Sequence, residues 1–192
     1  MDRRNIVERT FVILKPDTVQ RAITGEIITR FERAGLKIIG MKMMSPGMEL
    51  LKEHYPDDLI PIVGNKTKKD WDEFGIEYSE TAEELGDMIV KATREFMQSA
   101  PVIAIVLQGG HAVEIVRKLV GTTGPKDSPA GTIRGDYAHL SLGRASMAKK
   151  GAANIIHASG SVDEAKKEIS MWFDDSELFD DYKTVHEHIT HV

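Results

Sequence analysis

The chain has 192 residues, 41% hydrophobic and 29% charged, with a formal net charge of −5 and no cysteine. That length supplies one sizeable core rather than two ordinary domains, and the balance belongs to a folded chain rather than a disordered one. The acidic excess argues against a dedicated nucleic-acid binder, and the missing thiols exclude disulfides and thiolate metal sites.

The opening MDRRNIVERT lacks the apolar core of a secretory signal, and no run approaches the roughly 18 apolar residues of a membrane span. No membrane association and a cytoplasmic location are therefore expected. Thr10 to Lys15, TFVILK, is a β-rich run closed by Pro16-Asp17, which predicts a strand and then a turn. GEIITRFERAG places Ile27, Ile28 and Phe31 at helical spacing and stops at Gly35. LKIIGMKMMS predicts a second strand, ended by Ser45-Pro46-Gly47, and MELLKEHY a short helix. Pro101 to Gly109, PVIAIVLQG, is almost continuously apolar and predicts a central strand. AVEIVRKLVG predicts a helix ending at Gly121, ANIIH a last short strand, and VDEAKKEISMWF an amphipathic helix with Ser161 as its N-cap. The order is that of a ferredoxin-like α+β fold, βαββαβ, with an antiparallel sheet. Two stretches fall outside this unit, near 56–86 and 137–150, and are expected as insertions in a single domain spanning 1–192.

Arg117 to Asp136, RKLVGTTGPKDSPAGTIRGD, is a Gly/Pro/Thr loop bracketed by Arg117 and Arg134. Such a loop offers backbone N–H groups, hydroxyls and guanidinium forks to a polyphosphate. Alone it would pass for a solvated surface crossover, and it holds no G-x-x-x-x-G-K-[ST]. Ala153 to Ser161, ANIIHASGS, sets His157 between an apolar run and residues too small to cover it. A histidine that must meet a ligand needs room beside its ring, which Ala158 and Ser159 are expected to leave.

Together, ERTFVILKPDTVQR, GTTGPKDSPAGTIRGD, and NIIHAS followed by KKEISMWF resemble the nucleoside diphosphate kinase family. The resemblance implies transfer of the terminal phosphate of a nucleoside triphosphate to a nucleoside diphosphate, by ping-pong kinetics through a phosphohistidine on His157. It implies that Lys15 neutralises the γ-phosphate and that Tyr55 borders the lysine and histidine. By the same resemblance Arg117, Thr123 and Arg134 hold phosphate, Asn154 meets the ribose, and Ser159 and Glu168 support the imidazole. Pro125 falls where the family has a proline used in subunit contacts, so a homo-oligomer is implied. Mg²⁺ is the implied cofactor, held mainly by nucleotide phosphates and water rather than by protein ligands. The chemistry agrees, because a neutral imidazole needs orientation rather than a separate base, and phosphoryl transfer asks mainly for positioning and charge.

Typical members place a base-stacking phenylalanine shortly before the third strand; here the position falls on Ile89, with Trp71 or Phe74 as other candidates. His54, His111 and His139 are expected to be structural or exposed, and HEHITH to be a solvated tail. A catalytically silent nucleotide-binding or scaffolding relative, its site blocked by the insertions, is the alternative.

Overall fold

Four strands form one antiparallel sheet in the computed structural model, which describes residues 6–190, Thr190 by its backbone alone. In chain order the elements are β1 (Val7–Leu14), α1 (Pro16–Gln20), α2 (Thr24–Arg33), β2 (Lys37–Met44), α3 (Met48–His54), α4 (Ile60–Glu73), α5 (Ala82–Met97) and β3 (Val102–Gly110). They continue with α6 (Ala112–Val120), α7 (Ile133–Tyr137), α8 (Leu142–Met147), β4 (Ile156–Ala158), α9 (Val162–Trp172) and α10 (Val185–Thr190). The sheet order is β2-β3-β1-β4, every neighbour antiparallel, which is the ferredoxin-like arrangement expected.

The alternation of β1 sorts its side chains between two cores. Val12 and Leu14 join Ile105, Leu107, α2 (Ile27, Phe31) and α6 (Val116, Val120) on one face. Phe11 and Ile13 join Ala104, Val106, Leu51, Met97, Ile169 and Trp172 on the other. Because helices cover both faces, Phe11–Leu14 of β1 and Ala104–Leu107 of β3 have no solvent side, which is why these two stretches are wholly apolar. The expected strands and helices of this unit all form. Gly121 ends α6 at φ +87°, a left-handed conformation that suits glycine.

The stretch near 56–86 is not irregular. It folds as α4 and the start of α5, an antiparallel hairpin. The turn ends at Thr81, whose hydroxyl accepts from Glu84 N–H while the Glu84 carboxylate receives Thr81 N–H at 2.8 Å, a capping box. The two helices meet backbone to backbone. A Cβ on Gly64 would sit 1.6 Å from the Ala82 carbonyl oxygen, and one on Gly86 2.0 Å from that of Ile60. The stretch near 137–150 forms α8 and packs on that hairpin: Trp71 Nε1 donates to Ser146 Oγ at 2.8 Å. The two apparent insertions therefore build one helical roof.

The tail is solvated as expected at His186, His188 and Ile189, but it is anchored to the fold. Lys37 Nζ donates to the carbonyls of Asp180 and Tyr182 and pairs with Glu187 at 3.5 Å, and the His186 ring lies against Gly35. His188 is exposed. His191, like the first five residues of the opening segment, lies outside the described residues.

Candidate active site

The site gathers where β4 runs beside β1. Ile155 takes φ +74°, an outlier for a β-branched residue, while Ile156 N–H bonds the Asn154 carbonyl at 2.9 Å across it. A conformation of this kind costs about 1–3 kcal/mol and persists only when clamped. Here it is clamped from both sides. Asp17 Oδ2 accepts Ile155 N–H at 2.9 Å, while Lys15 N–H and the Thr18 hydroxyl both donate to the Ile155 carbonyl. Pro16 starts α1 directly after β1, so the KPD segment brings these donors and acceptors to one point.

That turn delivers His157, paired in register with Ile13. Ala165, Glu168, Ile169 and Trp172 share the inward face of α9, which carries the Glu168 carboxylate back under the ring. His157 Nε2 lies 2.6 Å from Glu168 Oε1, and Ser159 Oγ donates to Oε2. A carboxylate on Nε2 puts the proton there and leaves a lone pair on Nδ1, which has no partner among the described residues. The ring keeps 19% of its surface exposed. Burial first, and the Lys15 ammonium second, lower the His157 pKa to about 3, so the ring is neutral at ordinary pH. Burial raises the pKa of Glu168.

One expectation is corrected here. Ala158 and Ser159 do not open the approach to the ring; they are 4% and 0% exposed. Ala158 belongs to the core beneath β4 and Ser159 is small because its hydroxyl must fit between the Phe11 backbone and Glu168. The room beside His157 comes from the edge of the short strand, not from its neighbours in sequence.

Lys15 Nζ donates to Asn154 Oδ1 at 2.8 Å, and Asn154 Nδ2 donates to the Thr123 carbonyl at 2.9 Å. Burial and the nearby Arg134 lower the Lys15 pKa to about 8. Arg134 is 3% exposed and donates to the carbonyls of Asn154 (3.2 Å), Ile156 (2.6 Å), Gly121 (3.2 Å) and Thr122 (2.8 Å). Those bonds occupy four of the five N–H groups of a guanidinium. Arg134 thus ties the turn at Asn154–Ile156 to the loop after α6 and keeps a single N–H for any phosphate. Burial and Arg117 lower its pKa to about 10. Arg117 is exposed, and its side chain makes a single hydrogen bond among the described residues, a long 3.4 Å one to the Ala158 carbonyl, which makes it the freer cation. Thr123 is exposed beside them. Tyr55 stands 6.4 Å from His157 between ring centroids, its hydroxyl buried without a hydrogen-bond partner among the described residues, and burial raises its pKa. Arg94 of α5 holds the Tyr55 carbonyl at 3.0 Å and so fixes the entry to the hairpin.

Ile89 is half-buried and faces a cavity of about 160 Å³ between α4, α5 and α8. Trp71 is buried and committed to Ser146. Phe74 is 51% exposed and lines a cavity of about 330 Å³ that reaches Thr123. His111 and His139 are exposed as expected.

His54 was passed over by sequence reasoning as merely structural. It is wholly buried, its ring centroid 4.6 Å from that of His157 and its Nδ1 3.6 Å from Glu168 Oε1. No local signal marked it, because its place beside Glu168 is set by the packing of α3 against α9.

The profile of the family described as "Nucleoside diphosphate kinase" matches residues 8–59 and 67–178. A nucleoside diphosphate kinase of Pyrobaculum aerophilum is 42% identical over 181 residues, covering 91% of this chain and 99% of that protein. One of Pyrococcus furiosus is 41% identical over 176 residues, covering 92% and 89%. Among solved structures, an NDP kinase from Pyrobaculum aerophilum matches with a TM-score of 0.86 at 41% identity over 91% of this chain and 100% of that one. A nucleoside-diphosphate kinase from Borrelia burgdorferi, a transition-state mimic with bound vanadate and ADP, matches with a TM-score of 0.78 at 34% identity, covering 95% of both. The family profile leaves only residues 60–66 unmatched between its two segments, so most of the helical roof falls within the match.

Proposed function

The chain belongs to the nucleoside diphosphate kinase family, and we propose that His157 is the residue through which it passes a phosphate between nucleotides. The protein is an enzyme that transfers the terminal phosphate of a nucleoside triphosphate to a nucleoside diphosphate. The observation that carries the assignment to His157 is the 2.6 Å contact of Nε2 with Glu168, which leaves Nδ1 as the unshared pair.

In the proposed cycle, Nδ1 attacks the terminal phosphorus, the bond to the bridging oxygen breaks, and the diphosphate departs. The positive charge that grows on the ring is held by Glu168, itself oriented by Ser159. Lys15, Arg117 and the spare N–H of Arg134 face the charge on the transferring group, and Thr123 joins them in holding phosphate. Asn154 is read as the ribose contact; its amide is already oriented by Lys15 and Thr123. An incoming diphosphate then takes the phosphate from Nδ1 by the reverse path. Positioning and preset charge supply most of the rate in such transfers. Tyr55 supports the wall beside the ring, and Ile89 or Phe74 is the apolar surface nearest the base.

Both oxygens of Glu168, the carboxylate nearest His157, are already engaged. That favours Mg²⁺ entering on the nucleotide, held by phosphate oxygens and water, where it offsets phosphate charge. A silent relative would need the ring walled off, and the residual exposure of His157 speaks against that. No described helix is long and apolar enough to cross a membrane. The further readings of a single domain over 1–192, a homo-oligomer and a cytoplasmic protein rest on the sequence and its family resemblance; sedimentation checks the assembly.

The test is a half-reaction. Mixing the enzyme with a nucleoside triphosphate and no acceptor should release one diphosphate per active site in a burst and then stop. Release that needs the acceptor to be present would point to direct transfer and overturn the phosphohistidine.

A further inference from the structure

We propose that His54, Glu168 and His157 form a binding site for a transition-metal ion of the zinc type, and that such an ion silences the enzyme. The inhibitory half of the proposal rests on His157 being the nucleophile.

Two imidazoles and a carboxylate offer one ligand atom each within 4.8 Å of one another. That donor set, with a position left open, is one that Zn²⁺ favours. The protonation states are already suitable. Trp172 Nε1 lies 3.4 Å from His54 Nδ1, and an indole N–H only donates, so Nδ1 carries a lone pair and the proton is on Nε2. Nδ1 is also the atom 3.6 Å from Glu168 Oε1. On the carboxylate, Ser159 occupies Oε2 and so directs Oε1 toward the two rings. Ser159 would orient the carboxylate donor, as a supporting hydrogen bond does in metal sites. Closing the rings about the ion requires His54 to give up the long Trp172 bond and the His157–Glu168 contact to open.

The consequence follows from proton balance. An ion on His157 Nε2 displaces the proton there, which moves to Nδ1. No proton is lost; the tautomer inverts. Nδ1–H has no lone pair with which to attack phosphorus, so phosphorylation stops while the metal stays. Mg²⁺, a hard ion that prefers oxygen and keeps its waters, would not compete for two imidazoles.

The experiment uses Zn²⁺ and Co²⁺ on the full chain without nucleotide. Calorimetry should give one Zn²⁺ per chain, and Co²⁺ the intense visible bands of tetrahedral coordination, both insensitive to excess Mg²⁺. His54→Phe keeps an aromatic ring against Tyr55 and Trp172, and His54→Gln keeps a polar group; circular dichroism checks that each is folded. Loss of a direct ligand should weaken Zn²⁺ at least about tenfold in both, since even second-shell losses cost 10–100-fold. Wild-type enzyme preloaded with Zn²⁺ and freed of excess should fail to take up phosphate, and EDTA should restore it. Equal Zn²⁺ affinity in wild type and both variants, or undiminished labelling at saturating Zn²⁺, would overturn the proposal. A chain that never takes up phosphate, with or without metal, would instead overturn the assigned nucleophile and leave the cobalt spectrum as evidence for the site.

Discussion

The corner around His157 and the roof of α4, α5 and α8 are held together in different ways. In the corner, side chains satisfy backbone groups: Asp17 and Thr18 clamp Ile155, Arg134 collects four carbonyls, and Ser159 is braced on Phe11. In the roof, helices press on one another through missing side chains, with Gly64 and Gly86 against opposing carbonyls, and Trp71 bonds Ser146. The first device fixes a few atoms to a fraction of an ångström. The second fixes where a whole helix lies. Substitutions in the corner should therefore change rate more than stability, and substitutions in the roof the reverse.

The largest effect expected belongs to the corner. Glu168→Gln keeps the shape but removes the anion that, in the proposed cycle, balances the ring's developing charge, and should lower the rate of His157 phosphorylation about 10²–10³-fold, the scale of losing one preorganised electrostatic partner. Rapid-quench measurement of the half-reaction, beside a thermal melt that moves little, checks it. Gly64→Ala should do the opposite. Its Cβ would lie inside the Ala82 carbonyl, so the hairpin must part, at the cost of at least about 1–3 kcal/mol of stability by chemical denaturation. If the variant keeps its stability but loses its rate, the two regions are not separate.

Smaller still, Trp71→Phe removes one buried donor and should cost about 1–2 kcal/mol with the phosphorylation rate within twofold of wild type. The gentlest probe is pH. With His157 held near 3, phosphorylation should show no acid limb at the 6.5 of a free imidazole. It should decline as pH rises past about 8, where Lys15 loses its proton. Stability carries the opposite sign on the acid side. His54 and His157 have folded pKa values lowered from 6.5 to about 3, so the unfolded chain binds more protons between those values. Stability should accordingly fall as pH drops through that window, read from denaturant midpoints.

The corner was legible in the sequence and the roof was not, for physical reasons. Glu168 lies eleven residues from His157, and a helix started at Ser161 brings it round by periodicity alone. KPD, the arginine-bracketed loop and NIIHAS each keep their chemistry within a few residues, so local spacing is informative. Trp71 and Ser146 are 75 positions apart in polar segments, and nothing local links them. Gly64 and Gly86 could be read as loop glycines in a charged stretch, whereas their role is close approach between helices. His54 hides for a related reason, since burial against Glu168 is set by the crossing of α3 and α9 and not by its neighbours in sequence. The burial of Ser159 shows the reverse error, where a small residue suggested open space and in fact fills a tight one.

The central claim, transfer through the Nδ1 atom of His157, is tested most directly by labelling the enzyme with a γ-labelled nucleoside triphosphate and assaying the purified protein. Wild type should carry about one label per chain, lost in acid and retained in base, chased onto any added nucleoside diphosphate, and absent from His157→Ala. Label that survives acid, or that persists in His157→Ala, would contradict it.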